Sequence, residues 1–276
     1  MLPSLLLTFR EGLEAALIVG LMLGYLRQVG QMHRQRWIWA AVGAAATLSL
    51  ALALGLQAVG AELEGQAEYV FEGLAMLLAV GVLTWVIFWM RRHAHTMRAT
   101  LQNNVQAAVQ SGAGGALFGV AFLAVLREGV ETALFLTAAR IAGDGLSTLI
   151  GGVSGLVLAV IVGWAIYSGS ARLDVRRFFD VSSALLLIFA AGLFAHGIHE
   201  LQEAGWLPVF VEHVWNTKAA LDDGSTLGAM LRTLVGYNDD PSLLEVLGYG
   251  AYWVTVALAL RWWRERVLTR ALPVGA

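Results

Sequence analysis

The sequence predicts an all-α integral membrane protein with seven transmembrane helices, on three observations. Hydrophobic residues make up 58% of the chain and charged residues only 14%, and the mean hydropathy is +0.68. A soluble domain carries about 25% charged residues, so this chain lacks the polar surface that keeps a protein dissolved. Seven stretches are apolar and long enough to cross a hydrocarbon core about 30 Å thick. Arginine-rich and acidic connections alternate between these stretches.

The predicted spans follow one another with short connections. They cover residues 4–26, 37–60, 67–90, 113–142, 148–169, 179–200 and 245–263. Connections after the odd-numbered spans carry arginine, such as Arg27 after the first and Arg172 after the fifth, and the others carry acid. Arginine-rich connections face the cytoplasm by the positive-inside rule. We therefore expect the N-terminus outside and the C-terminus inside. No basic segment precedes the first span, so it is not expected to be a cleaved signal peptide.

A repeated motif divides the chain. Residues 10–14 read Arg-Glu-Gly-Leu-Glu and residues 127–131 read Arg-Glu-Gly-Val-Glu, and two further spans follow each motif-bearing span. We predict one membrane domain with three-helix repeats over 1–112 and 113–200, an extracytoplasmic loop over 201–244, and a seventh helix with a basic cytoplasmic tail over 245–276. Because three is odd, the halves would form an inverted-topology repeat, an arrangement that places a transporter site near the bilayer midplane. The apolar run 206–215 is expected to form an interfacial helix.

The spacing of the motif places its charged side chains together. Residues three or four apart share a helix face, so Glu11 and Glu14 point the same way and Arg10 can reach Glu14. Glycine beside the carboxylates lets a neighbouring helix or an ion approach closely. The sequence therefore predicts metal ligands at Glu11, Glu14, Glu128 and Glu131, supported by Arg10, Gly12, Arg127 and Gly129.

Charge counting favours a cation at this site. Ionisable residues near the bilayer centre cost roughly 2.5–3.5 kcal/mol each on insertion scales, so the six motif charges must pair with each other or with a ligand. Two arginines against four glutamates leave a formal charge of −2 (2 − 4) for a multivalent cation to neutralise. The chain has no cysteine, and carboxylates suit hard cations. Two other interpretations stay open: buried ion pairs that lock helices together, and a proton relay.

The doubled motif in a seven-span protein resembles the oxidase-dependent iron transporter family. That family comprises the fungal high-affinity iron permeases and the bacterial EfeU-type proteins. The phrase that begins at His196 and ends at Trp206, His-Gly-Ile-His-Glu-Leu-Gln-Glu-Ala-Gly-Trp, resembles the end of the sixth span in the bacterial branch. The resemblance covers essentially the whole chain. The Asp-Ala-Ser-Glu-type phrase of fungal members is missing, which favours the bacterial branch and argues against direct handover from a multicopper oxidase.

The resemblance implies a permease that takes up ferric or ferrous iron, at the four motif glutamates, through the cytoplasmic (inner) membrane of a bacterium. It also implies an extracytoplasmic partner that oxidises or binds iron, as family members use in fungi and by proposal in bacteria. We expect no permanently bound cofactor and no enzymatic activity. No Walker-type phosphate loop appears, so the chain has no evident ATPase of its own. The net charge of −2 predicts no nucleic-acid partner.

A second set of residues is predicted near the outer surface. Glu68 and Glu72 share a face at the outer start of the third span, where they could receive the metal or simply favour the helix dipole. A relay role is predicted for His196, His199, Glu200 and Glu203, against a bland role as hydrogen-bonded residues of the headgroup zone. Three rival functions remain. They are a proton-coupled carrier of another divalent metal, such as manganese or lead; a membrane oxidoreductase subunit with metal or haem at His196 and His199; and a scaffold for a periplasmic partner at the loop 201–244.

Overall fold

The polypeptide folds as helices joined mostly by short turns. The computed structural model describes residues 1–93, 97–110, 112–169 and 174–271. Over these residues the α-helices are α1 (Leu2–Gln28), α2 (Gln35–Glu62), α3 (Gln66–His93), α4 (Met97–Gln110), α5 (Gly114–Ile141), α6 (Gly145–Tyr167), α7 (Val175–Glu203), α8 (Thr226–Val235) and α9 (Leu243–Ala271). The predicted all-α fold is confirmed for this part of the chain.

Five of the described helices, α2, α3, α6, α7 and α9, have the length and composition to cross a membrane. Helices α1 and α5 have 27 and 28 residues, more than the roughly 20 that a crossing needs. Unlike the other five helices, α1 and α5 each carry the three charged residues of one motif within their length. The seven-span topology and its orientation stay predictions. Arg172, on which the orientation partly depends, and residues 272–276 of the predicted tail lie outside the described residues.

Two helices and one loop differ from the prediction. Helices α4 and α8 were not predicted, because each is short and neither forms a long apolar run. The prediction of an interfacial helix over 206–215 is wrong, because this segment forms bends and irregular backbone. Pro208 lacks the N–H that a helix interior needs. The backbone instead pairs with the start of α9, where the Val214 N–H donates to the Pro241 carbonyl at 3.0 Å.

Local capping determines where several helices begin and end. The Asp144 carboxylate accepts the Ser147 backbone N–H at 2.8 Å and so starts α6. This hydrogen bond lowers the pKa of Asp144. Ser225 caps α8 in the same way, and Gly236 ends that helix with a φ of 72°, in the left-handed region that favours glycine.

Small residues bring α1 and α6 into close contact. Every fourth residue of α1, from Ser4 through Thr8 and Gly12 to Ala16, meets a small residue of α6. The matching residues, in the same order, are Gly151, Gly155, Ala159 and Gly163. Because the order is the same, the two helices run parallel. Small-residue stripes let membrane helices approach closely enough for backbone contact.

The pair α5 and α2 repeats this parallel arrangement. Gly114 lies against Trp37 near the start of both helices, and Gly129 lies against Ser49 near the middle. Helices α1 and α5, in contrast, run antiparallel. Leu7 shares a buried cluster with Phe135, near the end of α5. At the other end, Met22 and Leu26 share a cluster with Leu117 and Ala121, near the start of α5.

Helices α3 and α7 form the third close pair. Gly73 near the start of α3 packs against Gly197 and Leu201 near the end of α7, so the pair is antiparallel. The main core lies along this pair and includes residues of α1, α5 and α9. Gly248 of α9 packs on Ile198, and Thr84 of α3 forms a 2.9 Å hydrogen bond with Tyr252 of α9. Near its C-terminal end, α3 reaches the motifs on α1 and α5 through Trp89 and Met90.

Candidate metal site

The first motif lies on α1 and is enclosed by protein. Arg10, Glu11 and Glu14 are all buried. Arg10 Nη1 donates to Glu11 Oε1 at 3.2 Å, and Arg10 Nε lies 3.2 Å from Glu14 Oε1 without the alignment of a hydrogen bond. The arginine predicted to reach Glu14 therefore contacts both carboxylates of its motif.

The second motif lies on α5, where its two glutamates are also buried. Arg127 Nε donates to Glu131 Oε1 at 2.9 Å, the same four-residue spacing as in the first motif. The Arg127 side chain is 33% exposed, whereas that of Arg10 is 0% exposed. The two motifs therefore share a sequence but not an environment.

Three carboxylates from the two helices converge. Glu11, Glu128 and Glu131 each offer an oxygen, and these three oxygens lie within 4.8 Å of one another. Glu14, predicted as a fourth ligand, is not part of this trio and lies beside Arg10. A buried carboxylate oxygen, Oε2, has no hydrogen-bond partner among the described residues in each trio member. Buried unpaired acceptors are rare in proteins and call for an explanation, and a bound cation supplies one here.

The C-terminal end of α3 contacts both motif arginines. Arg10 Nη2 donates to Met90 Sδ at 2.8 Å. The guanidinium of Arg127 lies over the ring of Trp89, 4.4 Å from its centroid, as a cation–π contact. The sequence analysis missed both residues, because no local pattern links Met90 to Arg10, 80 positions away, or Trp89 to Arg127 on another helix.

At each motif glycine a second helix packs closely against the motif helix: α6 at Gly12 and α2 at Gly129. A Cβ on Gly12 would lie 2.8 Å from Ala159 Cβ of α6. A Cβ on Gly129 would lie 2.7 Å from Ser49 Cβ of α2. Both contacts are too close for real Cβ atoms, so the predicted role of these glycines in close helix approach agrees with the geometry.

Comparison with known proteins identifies the family. The profile of the iron permease FTR1 family matches residues 1–264. The chain belongs to this family. It is therefore a transporter and not an enzyme.

The most similar relatives include bacterial permeases. The chain is 37% identical over 254 residues to the ferrous iron permease EfeU of Yersinia pestis, covering 91% of this chain and 90% of the relative. It is 36% identical over 264 residues to the ferrous iron permease EfeU of Escherichia coli O6:K15:H31, covering 94% and 95%. No solved structure matches the chain.

His196 and His199, the two histidines predicted to relay the metal, contact residues that the sequence analysis missed. His199 Nδ1 lies 3.1 Å from Glu245 Oε1 of α9. Glu245 also accepts the backbone N–H of Ser242 at 3.1 Å and completes a capping box with it. The Ser-x-x-Glu phrase before an apolar run predicts that box, but not the contact with His199. His196 Nε2 lies 3.5 Å from Glu200 Oε1 and 3.3 Å from Arg232 Nη2 of α8.

The predicted outer glutamates lie at the same end of the permease. Glu68 and Glu72 are partly buried at the start of α3, and both are within electrostatic range of Glu200. Gln66 Nε2 donates to the Ala204 carbonyl at 2.8 Å and ties the start of α3 to the end of α7. Glu203 is exposed. The structure thus places these glutamates and the two histidines near the start of α3 and the end of α7.

A further acidic group lies in the segment between α7 and α9. Oxygens of Asp222, Asp223 and Asp239 lie within 4.8 Å of one another. Hydrogen bonds inside the segment account for this group, since Asp239 accepts the Asp223 N–H at 3.1 Å and Asp222 accepts the Gly224 N–H at 2.8 Å. We assign these acids to the fold of the outer segment, as ordinary loop charge.

Proposed function

We propose that this protein imports iron across the cytoplasmic membrane of a bacterium through a site formed by Glu11, Glu128 and Glu131, with Glu14 at its edge. The convergence of three buried carboxylates, each with an unpartnered oxygen, carries the proposal. Membership in the iron permease FTR1 family supports iron as the cation. The names of the relatives favour the ferrous ion, although carboxylates accept both oxidation states.

The packing of the helices supports an inverted-topology repeat as the framework of the site. Helices α1 to α3 and α5 to α7 would be the two repeats, with α4 between them. The first helix of each repeat packs in parallel on the second helix of the other, and the two first helices run antiparallel. A two-fold axis in the membrane plane relates repeats in this way. Seven spans, with the N-terminus outside, are consistent with every one of these directions.

The motif residues would divide the work of binding. The carboxylates of the trio supply the ligand oxygens and the surplus negative charge that a multivalent cation balances. The two arginines neutralise the remaining charge, which lets four glutamates stay buried at tolerable cost. The glycines keep α6 and α2 close to the motifs and exclude water from the site. Access would alternate as α1 and α5 move relative to the α3–α7 pair, which holds the arginines at Trp89 and Met90.

The outer residues would receive the ion before it reaches the motifs. We assign this relay to Glu68, Glu72, His196, His199, Glu200 and Glu203. Their shared position on α3 and α7 supports the assignment. From Glu72 to Met90 the distance along α3 is about 27 Å at 1.5 Å per residue, so the outer group and the motif site lie at opposite ends of one helix. An extracytoplasmic protein that oxidises or binds iron would deliver the ion to this end.

Uptake of radiolabelled iron into proteoliposomes tests the proposal. The wild-type protein is assayed with iron kept ferrous by ascorbate and, separately, with ferric citrate, which identifies the oxidation state. Excess Mn²⁺ or Pb²⁺ tests the rival in which another divalent metal is carried. Replacing Glu128 by Gln should lower the affinity for iron about 10- to 150-fold and so reduce uptake at low iron concentration, whereas the same change at Glu212, an exposed acid between α7 and α9, should leave uptake unchanged. Wild-type uptake by the Glu128→Gln protein would refute the site.

A further inference from the structure

Helix α8 places an arginine directly on the outer histidine–glutamate pair. Arg232 Nη2 lies 3.3 Å from His196 Nε2, while Arg232 Nη1 lies 3.4 Å from Asp223 Oδ2. The same His196 nitrogen is 3.5 Å from Glu200 Oε1. One guanidinium therefore joins the predicted relay to the acidic group of the outer segment.

The chemistry of the guanidinium determines the state of the histidine. Arginine carries only donors, so His196 Nε2 must accept and the ring proton must lie on Nδ1. An imidazole nitrogen with a free lone pair is the atom that ligates a metal ion. Arg232 therefore occupies the electron pair that an ion bound at His196 and Glu200 would use.

The position of Arg232 is built into the fold. Ser225 and Gly236 cap α8 at its two ends. Gly236 lies against Gly192 of α7, where a Cβ on Gly192 would come within 2.6 Å of the Gly236 nitrogen. Gly192 precedes His196 by four residues, one helical turn on the same face. The close contact of these glycines holds the end of α8 beside His196. This position of α8 brings Arg232 within reach of the histidine.

We propose that Arg232 is an outer gate: a tethered cation that the incoming metal ion must displace from His196 and Glu200, with Asp223 holding the displaced guanidinium. This inference rests on the proposed function, because it deepens the role of the outer relay. A multivalent cation, attracted more strongly to Glu200, displaces the arginine, whereas a monovalent cation does not. The gate thus contributes to selection before the ion reaches the motif carboxylates.

Iron uptake by Arg232 variants in proteoliposomes tests the gate. Arg232→Gln should lower the KM for iron about two- to fivefold, the range that a partly exposed ion pair spans, with the maximal rate unchanged. Asp223→Asn should raise the KM, because the arginine loses its alternative partner. Lys218→Gln, which removes the same charge from an exposed position of the outer segment, serves as the control and should leave the KM unchanged.

A double-mutant cycle shows whether the effect passes through the histidine. In a His196→Ala background, Arg232→Gln should no longer change the KM. An equal change in both backgrounds, or an equal change from Lys218→Gln, would show a general charge effect and overturn the gate. An unchanged KM in the Arg232→Gln protein would overturn it as well.

Direct metal binding separates failure of the gate from failure of the proposed function. Zn²⁺ suits imidazole ligands and can be titrated calorimetrically into purified protein that carries Glu128→Gln and Glu131→Gln. Adding Arg232→Gln should tighten the remaining Zn²⁺ binding about two- to fivefold. Unchanged binding refutes the gate even if the motif site stands. Tighter binding supports the gate even if the motif variants transport iron normally.

Discussion

The two Arg-Glu-Gly-x-Glu motifs are nearly identical in sequence and unequal in structure. Arg10 is fully buried and contacts both carboxylates of its motif, whereas Arg127 is one-third exposed and, of the two carboxylates in its motif, forms an ion pair with Glu131. The second motif offers both glutamates to the carboxylate trio, and the first offers only Glu11. A shared sequence therefore does not produce two equal half-sites.

The α3 helix explains much of this difference. Its consecutive residues Trp89 and Met90 face different motifs, and their chemistry differs. The Met90 sulfur is a weak acceptor that completes the burial of Arg10. The Trp89 ring covers one face of Arg127 and leaves the rest open. One helix that belongs to a single half thus breaks the symmetry of the pair, and we infer that the first motif is a rigid support and the second supplies most of the ligands.

The largest expected effect is a loss of iron affinity that differs between substitutions at Glu128 and at Glu14. Glu128→Gln removes a trio carboxylate, while Glu14→Gln removes one that lies beside Arg10. A hydrogen bond to a charged group contributes roughly 1.5–3 kcal/mol, so iron affinity should fall about 10- to 150-fold for Glu128→Gln. The fall for Glu14→Gln should be clearly smaller. Equal losses, measured as KM for uptake, would show that both motifs supply ligands equally.

The arginines should differ in their effect on stability. Arg10→Met leaves Glu11 and Glu14 buried without their cation, and removing one partner of a buried ion pair costs about 3–5 kcal/mol. Arg127→Met should cost roughly 1 kcal/mol, the upper range for an exposed pair. Thermal unfolding of the purified proteins in detergent measures both. If Arg127→Met were the more damaging change, the first motif could not be the rigid support.

Hydropathy predicted the long helices because that signal is local to each helix. The seven predicted spans correspond to α1, α2, α3, α5, α6, α7 and α9. The i, i+4 pairing of Arg10 with Glu14 and of Arg127 with Glu131 is likewise a property of one helix, and both pairs are present. The sequence also indicated that both motifs lie at similar depth, since the repeat restarts after three spans.

Contacts between helices that lie far apart in the chain could not be predicted from local sequence patterns. Nothing near Glu14 distinguishes it from Glu131, so its exclusion from the trio depends on how α1 and α5 pack. Arg232 and Glu245 reach the outer histidines from helices that no periodic pattern connects to α7. Helix α8 was not predicted, because its ten residues have mixed polarity and resemble a loop segment. Packing, rather than propensity, decides these features.

Substitutions at the two motif glycines test whether the motifs are equivalent. In each case a second substitution on the facing helix should restore the stability that the first one removes. Gly129→Ala should destabilise the protein by about 1–3 kcal/mol, the usual cost of overpacking, because the new Cβ meets Ser49. Combining it with Ser49→Gly should restore stability. Gly12→Ala with Ala159→Gly is the matched pair on the other side. Denaturation in detergent measures all four proteins, and a failure of either rescue would refute the crossing assigned to that glycine.

The smallest expected effect concerns Trp89. Trp89→Leu keeps an apolar side chain on α3 but removes the cation–π contact, which contributes about 0.5–2 kcal/mol. Arg127 should then move more freely, and the KM for iron should change about two- to thirtyfold while Trp89→Phe gives an intermediate value. Trp164→Leu, at a 69% exposed position of α6, controls for loss of a tryptophan at the lipid face. If Trp89 acts on the site through its cation–π contact with Arg127, Trp89→Leu in an Arg127→Met background should have no further effect. A persistent effect there would place the role of Trp89 in the packing of α3 and not in the second motif.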